Sequence, residues 1–399
     1  MPLGFEGIYS TVSAVKGFRA PGRYLQGPGV LRRIGKVVRV FGSKGLAIAD
    51  DTVMSIVKGV VEKSFADQGL SIEFEVFRRE CSWEEINRVK DVASRLAVDF
   101  IMAFGGGKAI DTGKAVANLL EIPFVSIPTI ASTDAPTSAI SVVYTEPYPG
   151  EYVEDVFWPR NPDLVIVDTG IIAKANPRFL AAGMGDASSK LFEGRAVVQS
   201  FGRNFVFSEY RERRGVEPLG APLLGLQLCK LTYNVIRRYG EAAMHSVRKR
   251  SVTPALELVV EANTLLSGLG FENTGVAAAH SIYFGFTKIH HKMDPPQHHG
   301  ELVAFGTIVQ LVMEGTTLDK VLDYMKWAHS VGLPVNLEEL GLTNLSDEDL
   351  WKVAETSYSV PHIHNEPFDV EPEMIVSSIR TADEIGRKFS QQYPRSPYE

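Results

Sequence analysis

Three residues of the kinds that bind metal ions stand in glycine-punctuated surroundings along this chain. The stretch that opens Gly268-Leu269-Gly270-Phe271 carries a third glycine at Gly275, passes into a run of small residues and ends at His280. Nineteen positions on, His299 opens His299-Gly300-Glu301-Leu302, and upstream Asp186 closes Gly183-Met184-Gly185-Asp186. One carboxylate and two imidazoles form a donor set that zinc accepts. Three protein ligands leave a fourth position open to a reactant, which is the catalytic rather than the structural arrangement. Five of the nine histidines (His280, His290, His291, His298 and His299) fall within 20 residues. That clustering favours a metal without choosing which two bind.

A second chemistry is written at Gly105-Gly106-Gly107-Lys108, directly after the apolar run Phe100 to Phe104. Consecutive glycines let a backbone approach its ligand closely, and a following helix offers free N–H groups, so the turn suits a pyrophosphate. It is neither of the commoner templates: Ile110 stands where the dinucleotide fingerprint wants glycine, and Gly113-Lys114-Ala115 has the wrong spacing for the phosphate-cradling lysine. Asp50, at the end of Leu46 to Ala49, is placed either to accept from ribose hydroxyls or to cap the next helix. The loop from Ile127 to Ser138 is rich in hydroxyls. It suits a polar ligand, or a set of turns that satisfy their own backbone.

The elements that must carry these residues change character along the chain. Strand signals at Leu46 to Ala49, Ile72 to Phe77, Phe100 to Phe104, Phe124 to Ile127 and Leu164 to Val167 alternate with helical ones. The helices are predicted over Thr52 to Ala66, Trp83 to Leu96 behind a Ser82 cap, and Ala109 to Leu119. Such alternation predicts an open parallel sheet covered by helices. Past Asn176 helical periodicity dominates, through Ser200 and over Leu223 to Tyr239, Pro254 to Ser267, Leu302 to Met313 and Lys320 to Val331. The expected organisation is an α/β domain over 1–176 and an all-helical domain over 177–399.

Composition excludes several classes. A net charge of −7 argues against a nucleic-acid partner. Cys81 and Cys229 form neither a disulfide framework nor a thiolate metal pattern, which suits a reducing compartment. Met1 to Thr11 lacks the apolar core of a signal peptide, and no apolar run has membrane-spanning length. The cytoplasm is the expected location. The basic Arg203 to Arg214 stretch reads as a solvated face.

Taken together, the Gly105 to Lys114 turn, the Ile127 to Ser138 loop, Gly183 to Asp186, Gly268 to His280 and His299 to Gly306 resemble the glycerol dehydrogenases. These are zinc-dependent members of the iron-containing alcohol dehydrogenase superfamily. The resemblance runs from about Gly17 to the C-terminal helices, and the Thr133-Asp134-Ala135-Pro136-Thr137-Ser138 loop separates this family from relatives acting on phosphorylated substrates. It implies a dehydroquinate synthase-like fold, with a Rossmann-like NAD-binding α/β domain and an all-α domain, often assembled as octamers. It further implies that Asp186, His280 and His299 bind Zn2+. Gly106, Gly107, Lys108 and Asp111 match the pyrophosphate turn, and Asp50 the adenosine ribose acid. Thr129, Ser132, Ser138, Ile140 and Tyr144 match the cofactor lining, and Asp134 the carboxylate that holds a small polyol substrate.

Departures bear on the substrate more than on the reaction. Iron-dependent relatives resemble a four-ligand site whose extra histidine falls where this chain has Phe284. Tyr283-Phe284 replaces the His-Asn common in glycerol dehydrogenases, and the stretches Ile289 to His298 and Ser200 to Val216 are atypical. A dehydroquinate-synthase-like lyase would need a cluster of Lys and Arg beside His280 or His299, and none is apparent in the neighbouring sequence. A non-catalytic NAD-binding protein would have no use for a complete metal-ligand set.

Overall fold

The computed structural model describes residues 16–200, 203–204 and 219–394. The Met1 to Thr11 segment and most of the Arg203 to Arg214 and Ser200 to Val216 stretches lie outside the described residues. The strands are Tyr24–Gln26 (β1), Lys44–Ala49 (β2), Ser71–Val76 (β3), Phe100–Gly105 (β4), Phe124–Pro128 (β5), Ile140–Tyr144 (β6), Tyr152–Phe157 (β7) and Leu164–Val167 (β8). Six of them form one sheet in the order β1-β8-β5-β4-β2-β3, and every adjacent pair is parallel.

Strand β4 shows why a parallel sheet demands an unbroken apolar run. Phe100, Met102 and Phe104 enter a core with Val57, Val61 and Phe65, whereas Ile101 and Ala103 enter another with Ile86, Val89 and Val116. Successive side chains leave a strand on opposite faces, so a strand covered on both sides has no polar positions to spare. The covering helices are Asp51–Ala66, Trp83–Leu96 and Gly107–Leu119. Asp50 and Ser82 each cap the helix that follows, accepting from the backbone N–H of Val53 and Glu85.

Strand order reverses between β2 and β4, because β3 extends the sheet from one side of β2 and β4, β5 and β8 extend it from the other. Open α/β sheets take ligands in the crevice beyond the carboxyl ends of the strands at such a switch point. Strand β2 ends at Ala49, next to Asp50, and β4 ends at Gly105, next to Gly106. The two stretches singled out in the sequence for a dinucleotide are therefore neighbours across this switch point.

Several elements differ from expectation, among them strand β1 and the helices Asp347–Ser359 and Pro372–Gln392, which the sequence does not signal. The antiparallel hairpin of β6 and β7, which holds Ile140 and Tyr144, is not signalled in the sequence reading. The helix expected over Pro254 to Ser267 is α-helical only for Pro254–Glu261, and Ala262–Leu266 takes a wider π turn. Ser267 donates its N–H five residues back to Ala262.

Contacts divide the chain into two compact units. One comprises Arg19–Leu180 with His245–Leu269, and the other Ala181–Met244 and Gly270–Glu399 with residues 16–18. A cut after Asn176 separates most of these residues, but 245–269 lie with the sheet. The second unit is mostly helical, built from most of Pro177–Gln199 and of Leu223–Arg248 and from Ala278–Thr287, His299–Met313, Leu318–Ser330, Asp347–Ser359 and Pro372–Gln392. It also carries one short antiparallel ribbon, Arg203–Asn204 with Leu219–Gly220. Among the described residues no helix is long and apolar enough to cross a membrane.

Candidate active site

Three helices of the second unit bring Asp186, His280 and His299 together. Two glycines allow it. A Cβ on Gly300 would stand 1.7 Å from the Ala182 carbonyl oxygen, and one on Gly185 would stand 2.2 Å from that of Gly300. Helices Pro177–Gln199 and His299–Met313 thus touch backbone to backbone, which places His299 beside Asp186. Asp186 Oδ1 lies 3.4 Å from His280 Nε2 and 3.6 Å from His299 Nε2. One donor atom from each residue falls within 4.8 Å of the others, and this trio is the one such metal-competent group among the described residues. Ligands of a tetrahedral zinc ion, with arms of about 2.0–2.1 Å, stand roughly 3.3–3.4 Å apart, so the two separations from Asp186 suit such an ion. Asp186 Oδ2 is buried without a hydrogen-bond partner, as expected of a carboxylate built for another cation.

The remaining clustered histidines do other work. His290 Nε2 meets the Gln297 carbonyl at 2.9 Å, His291 is exposed, and His298 sits at the N-cap of the His299 helix, its N–H donating to Glu301. Phe284 is buried against His362, and the Tyr283 ring lies edge-on to that of His299 with centroids 4.3 Å apart.

Two residues that the sequence reading passed over complete the cluster. Lys190 and Glu193 follow Asp186 at i+4 and i+7, along one stripe of the same helix. Glu193 accepts from the backbone N–H groups of Ala277 and His280 and meets His280 Nδ1 at 2.7 Å. Burial alone would raise its carboxyl, but the His280 ring, the Lys190 ammonium and the Ala277 N–H outweigh it and hold the pKa near 2. Lys190 Nζ bonds Asp186 Oδ1 at 2.6 Å and lies 3.1 Å from His280 Nε2. For His280, burial opposes a charge and the Glu193 carboxylate favours one. The lysine contact decides otherwise, because an imidazolium would set two N–H donors 3.1 Å apart. The neutral tautomer, with its proton on Nδ1 towards Glu193, leaves a lone pair on Nε2. Burial works against ionisation of Asp186 too, yet the Lys190 ammonium, first among its neighbours, and then His299 hold its carboxyl well below the usual range.

The other expected site residues belong to the sheet unit. Gly105, at φ +147°, ends β4 in a conformation that favours glycine, and helix Gly107–Leu119 starts two residues on with Gly106 as its cap. Lys108 pairs with Glu80 at 2.7 Å, its ammonium 4.3 Å from the Tyr144 ring centroid. Asp111 faces inward: it pairs with Lys114 at 2.8 Å and accepts from the Val142 N–H at 3.1 Å. Thr129 follows β5 and donates its N–H to Gly105, which ties the loop start to the glycine turn. Ser132, Ser138 and Ile140 are buried. Ser138 Oγ and the Ile140 carbonyl accept from Lys114, which also donates to the Ala135 carbonyl at 2.9 Å.

Asp134 is buried and accepts from Ser267 Oγ at 2.6 Å. Residues around the π turn thus anchor the hydroxyl-rich loop at three points. Asn263 donates to the Ala131 carbonyl, Thr137 donates to that of Thr264, and Ser267 donates to Asp134. That is why 245–269 lie with the sheet, and it makes Lys114, Asn263, Thr264 and Ser267 the residues that shape this loop.

Comparison with known proteins shows the family. The family profile described as iron-containing alcohol dehydrogenase matches residues 21–169. A glycolaldehyde reductase of Halobacterium salinarum is 42% identical over 93% of this chain and 98% of its own length. A glycerol dehydrogenase of Thermotoga maritima is likewise 42% identical, covering 92% of this chain and 96% of its own. The crystal structure of glycerol dehydrogenase from Schizosaccharomyces pombe superposes with a TM-score of 0.88 at 33% identity, covering 96% of this chain and 94% of that one. The chain belongs to the iron-containing alcohol dehydrogenase family, among its glycerol dehydrogenase-like members.

Proposed function

We propose that this protein oxidises glycerol or a related vicinal diol to the hydroxyketone, using NAD and a zinc ion held by Asp186, His280 and His299. The observation that carries the reading is the Asp186 cluster, with two imidazole nitrogens 3.4 and 3.6 Å from one buried carboxylate oxygen and the second oxygen left without a partner. Zinc in such a site supplies Lewis acidity towards a substrate hydroxyl, and NAD supplies the hydride acceptor. The protein's part is positional and electrostatic. One carboxylate and two neutral rings leave a dication with net positive charge, and Glu193 fixes the His280 tautomer that presents Nε2.

Residues of the sheet unit would hold NAD at the switch point. Gly106, Gly107 and the helix start would bind the pyrophosphate, with Lys108 beside them and Asp111 supporting the turn from within through Lys114 and the Val142 N–H, and Thr129, Ser132, Ser138, Ile140 and Tyr144 would line the cofactor. Asp50 would accept from the adenosine ribose and repel a 2′-phosphate, which sets NAD above NADP. Asp134 would accept from the neighbouring hydroxyl of the substrate. Tyr283 and Phe284 add apolar surface near His299, so less polar diols should rival glycerol. We assign the protein to the cytoplasm as a homo-oligomer, with the octamer as the expected state.

Initial rates with NAD and NADP on glycerol, 1,2-propanediol, 2,3-butanediol and 2-propanol test this reading. A carboxylate deprived of its partner costs about 1–3 kcal/mol, so 1,2-propanediol should exceed 2-propanol by roughly tenfold to a hundredfold. Asp134→Ala should shrink that ratio. Equal efficiency on the diol and the mono-ol, unchanged in Asp134→Ala, contradicts the diol-reading role. The 42% identity to a glycolaldehyde reductase favours a second reading of the same site, reduction of a small hydroxyaldehyde with NADH. Rates on glycolaldehyde against dihydroxyacetone separate the two.

A further inference from the structure

The cation that already stands in the metal cluster is a side chain of this protein. The Lys190 ammonium lies 2.6 Å from Asp186 Oδ1 and 3.1 Å from His280 Nε2, the two atoms a metal would take, and the residue is buried to 1% exposure. Its other face rests over the Phe271 ring, 5.0 Å from the centroid. We propose that Lys190 is a built-in competitor for the metal site: it holds Asp186 and His280 in ligand geometry while no metal is bound, and it must be displaced by the incoming dication. This rests on the reading that Asp186, His280 and His299 hold the metal.

The physical argument is one of shared acceptors. An oxygen already in a charge-assisted bond of 2.6 Å cannot give its full charge to a second cation, and two cations on one oxygen repel each other. The His280 lone pair is single, so ammonium and metal cannot both use it. Displacement need not strand the lysine, because Asp186 Oδ2 is buried with no partner and offers it an acceptor on the same residue. The ammonium thus costs metal affinity but spares the metal-free protein a buried, unpaired carboxylate beside two imidazoles. The result is a site that remains assembled without its metal and binds it less tightly than the three ligands alone would.

Lys190→Met, which keeps the bulk and removes the charge, and Lys190→Gln, which keeps a donor and removes the charge, test the proposal. Full-length protein is stripped with chelator, and zinc affinity is measured by competition with a chromophoric chelator, alongside the thermal shift on adding zinc. The expected result is zinc binding at least tenfold tighter in both variants. Each should also have a lower metal-free Tm and a larger upward shift with zinc than the parent. If one variant does not fold, the other decides. Zinc affinity equal to or weaker than the parent's, while Asp186→Ala still abolishes binding, overturns the proposal and leaves the metal reading standing. Zinc binding that is absent from the parent, or unaffected by Asp186→Ala, removes the metal reading and this inference with it.

Discussion

Among the described residues each unit of this protein buries a lysine–aspartate pair on a single turn of helix, and the two pairs do different work. Lys114 and Asp111 meet at 2.8 Å in the sheet unit, and Lys190 and Asp186 meet at 2.6 Å in the helical unit. The first pair is fully engaged. Lys114 also reaches Ala135, Ser138 and Ile140, and Asp111 spends its second oxygen on the Val142 N–H. The second pair leaves Asp186 Oδ2 without a partner and has two imidazoles crowding Oδ1. Burial of charge is common to both and so cannot identify a site. What separates a structural pin from a reactive centre is the hydrogen-bonding capacity left over.

The largest effect that would sharpen this contrast is at Lys114. Lys114→Met leaves Asp111 buried and unpaired and releases the loop from Ala135 to Ile140. Removing one partner of a buried pair costs about 3–5 kcal/mol, and denaturant unfolding should show a loss of that size. A loss below about 1 kcal/mol would mean that the pair is not a pin.

Glu366 extends the comparison to a buried carboxylate with no cation bonded to it. It accepts from the Ala278 N–H at 3.1 Å, and its other oxygen has no partner. Burial first, and then the Glu314 and Glu193 carboxylates, push its pKa up to about 8, against the Ala278 N–H and Arg195. The unfolded chain releases this proton near 4.5 and the folded one near 8. Between these values the unfolded state binds fewer protons, so the contribution of Glu366 to stability falls as pH rises from 4.5 to 8 and is flat above. Glu366→Gln should flatten that slope and raise stability at pH 8 by on the order of a few kcal/mol. An unchanged slope would show that the carboxyl is ionised at neutral pH.

A smaller effect is expected at Glu193. Glu193→Gln keeps an acceptor near His280 Nδ1 but removes the charge that fixes the ring, and zinc affinity should drop about 10–100-fold. Unchanged affinity would mean that the tautomer is set elsewhere.

Much of the scaffold was legible in the sequence because its signals are local. The five apolar residues Phe100 to Phe104 foretell a strand covered on both faces, and Ser82 marks the start of Trp83–Leu96. Asp50 was ambiguous between cap and ligand; the cap is observed, and a ribose role remains compatible with its place beyond β2. Asp186, His280 and His299 stand out in the sequence only through the family motif, and the packing of Gly185 against Gly300 explains why His299, rather than His291, meets Asp186. Nothing local marks Lys190 and Glu193, although their i+4 and i+7 spacing is visible. Their shared partner, His280, lies about ninety residues away, and only folding joins them. The π turn at Ala262–Leu266 left no local sign either, because what it supports is the distant loop from Ala131 to Thr137.

The most direct test of the central claim is turnover measured together with metal content on one preparation. NADH formation from 1,2-propanediol is followed on protein stripped with chelator, on the same protein after one equivalent of zinc, and on Asp186→Ala and His299→Ala treated alike. The account predicts that the stripped protein is inactive and that zinc restores the rate in proportion to the metal bound. It further predicts that both variants lack the metal and fall at least about a thousandfold in rate, a loss of roughly 4 kcal/mol of transition-state stabilisation. A metal-free protein that turns over at the full rate, or an Asp186→Ala variant that keeps both metal and activity, would contradict it.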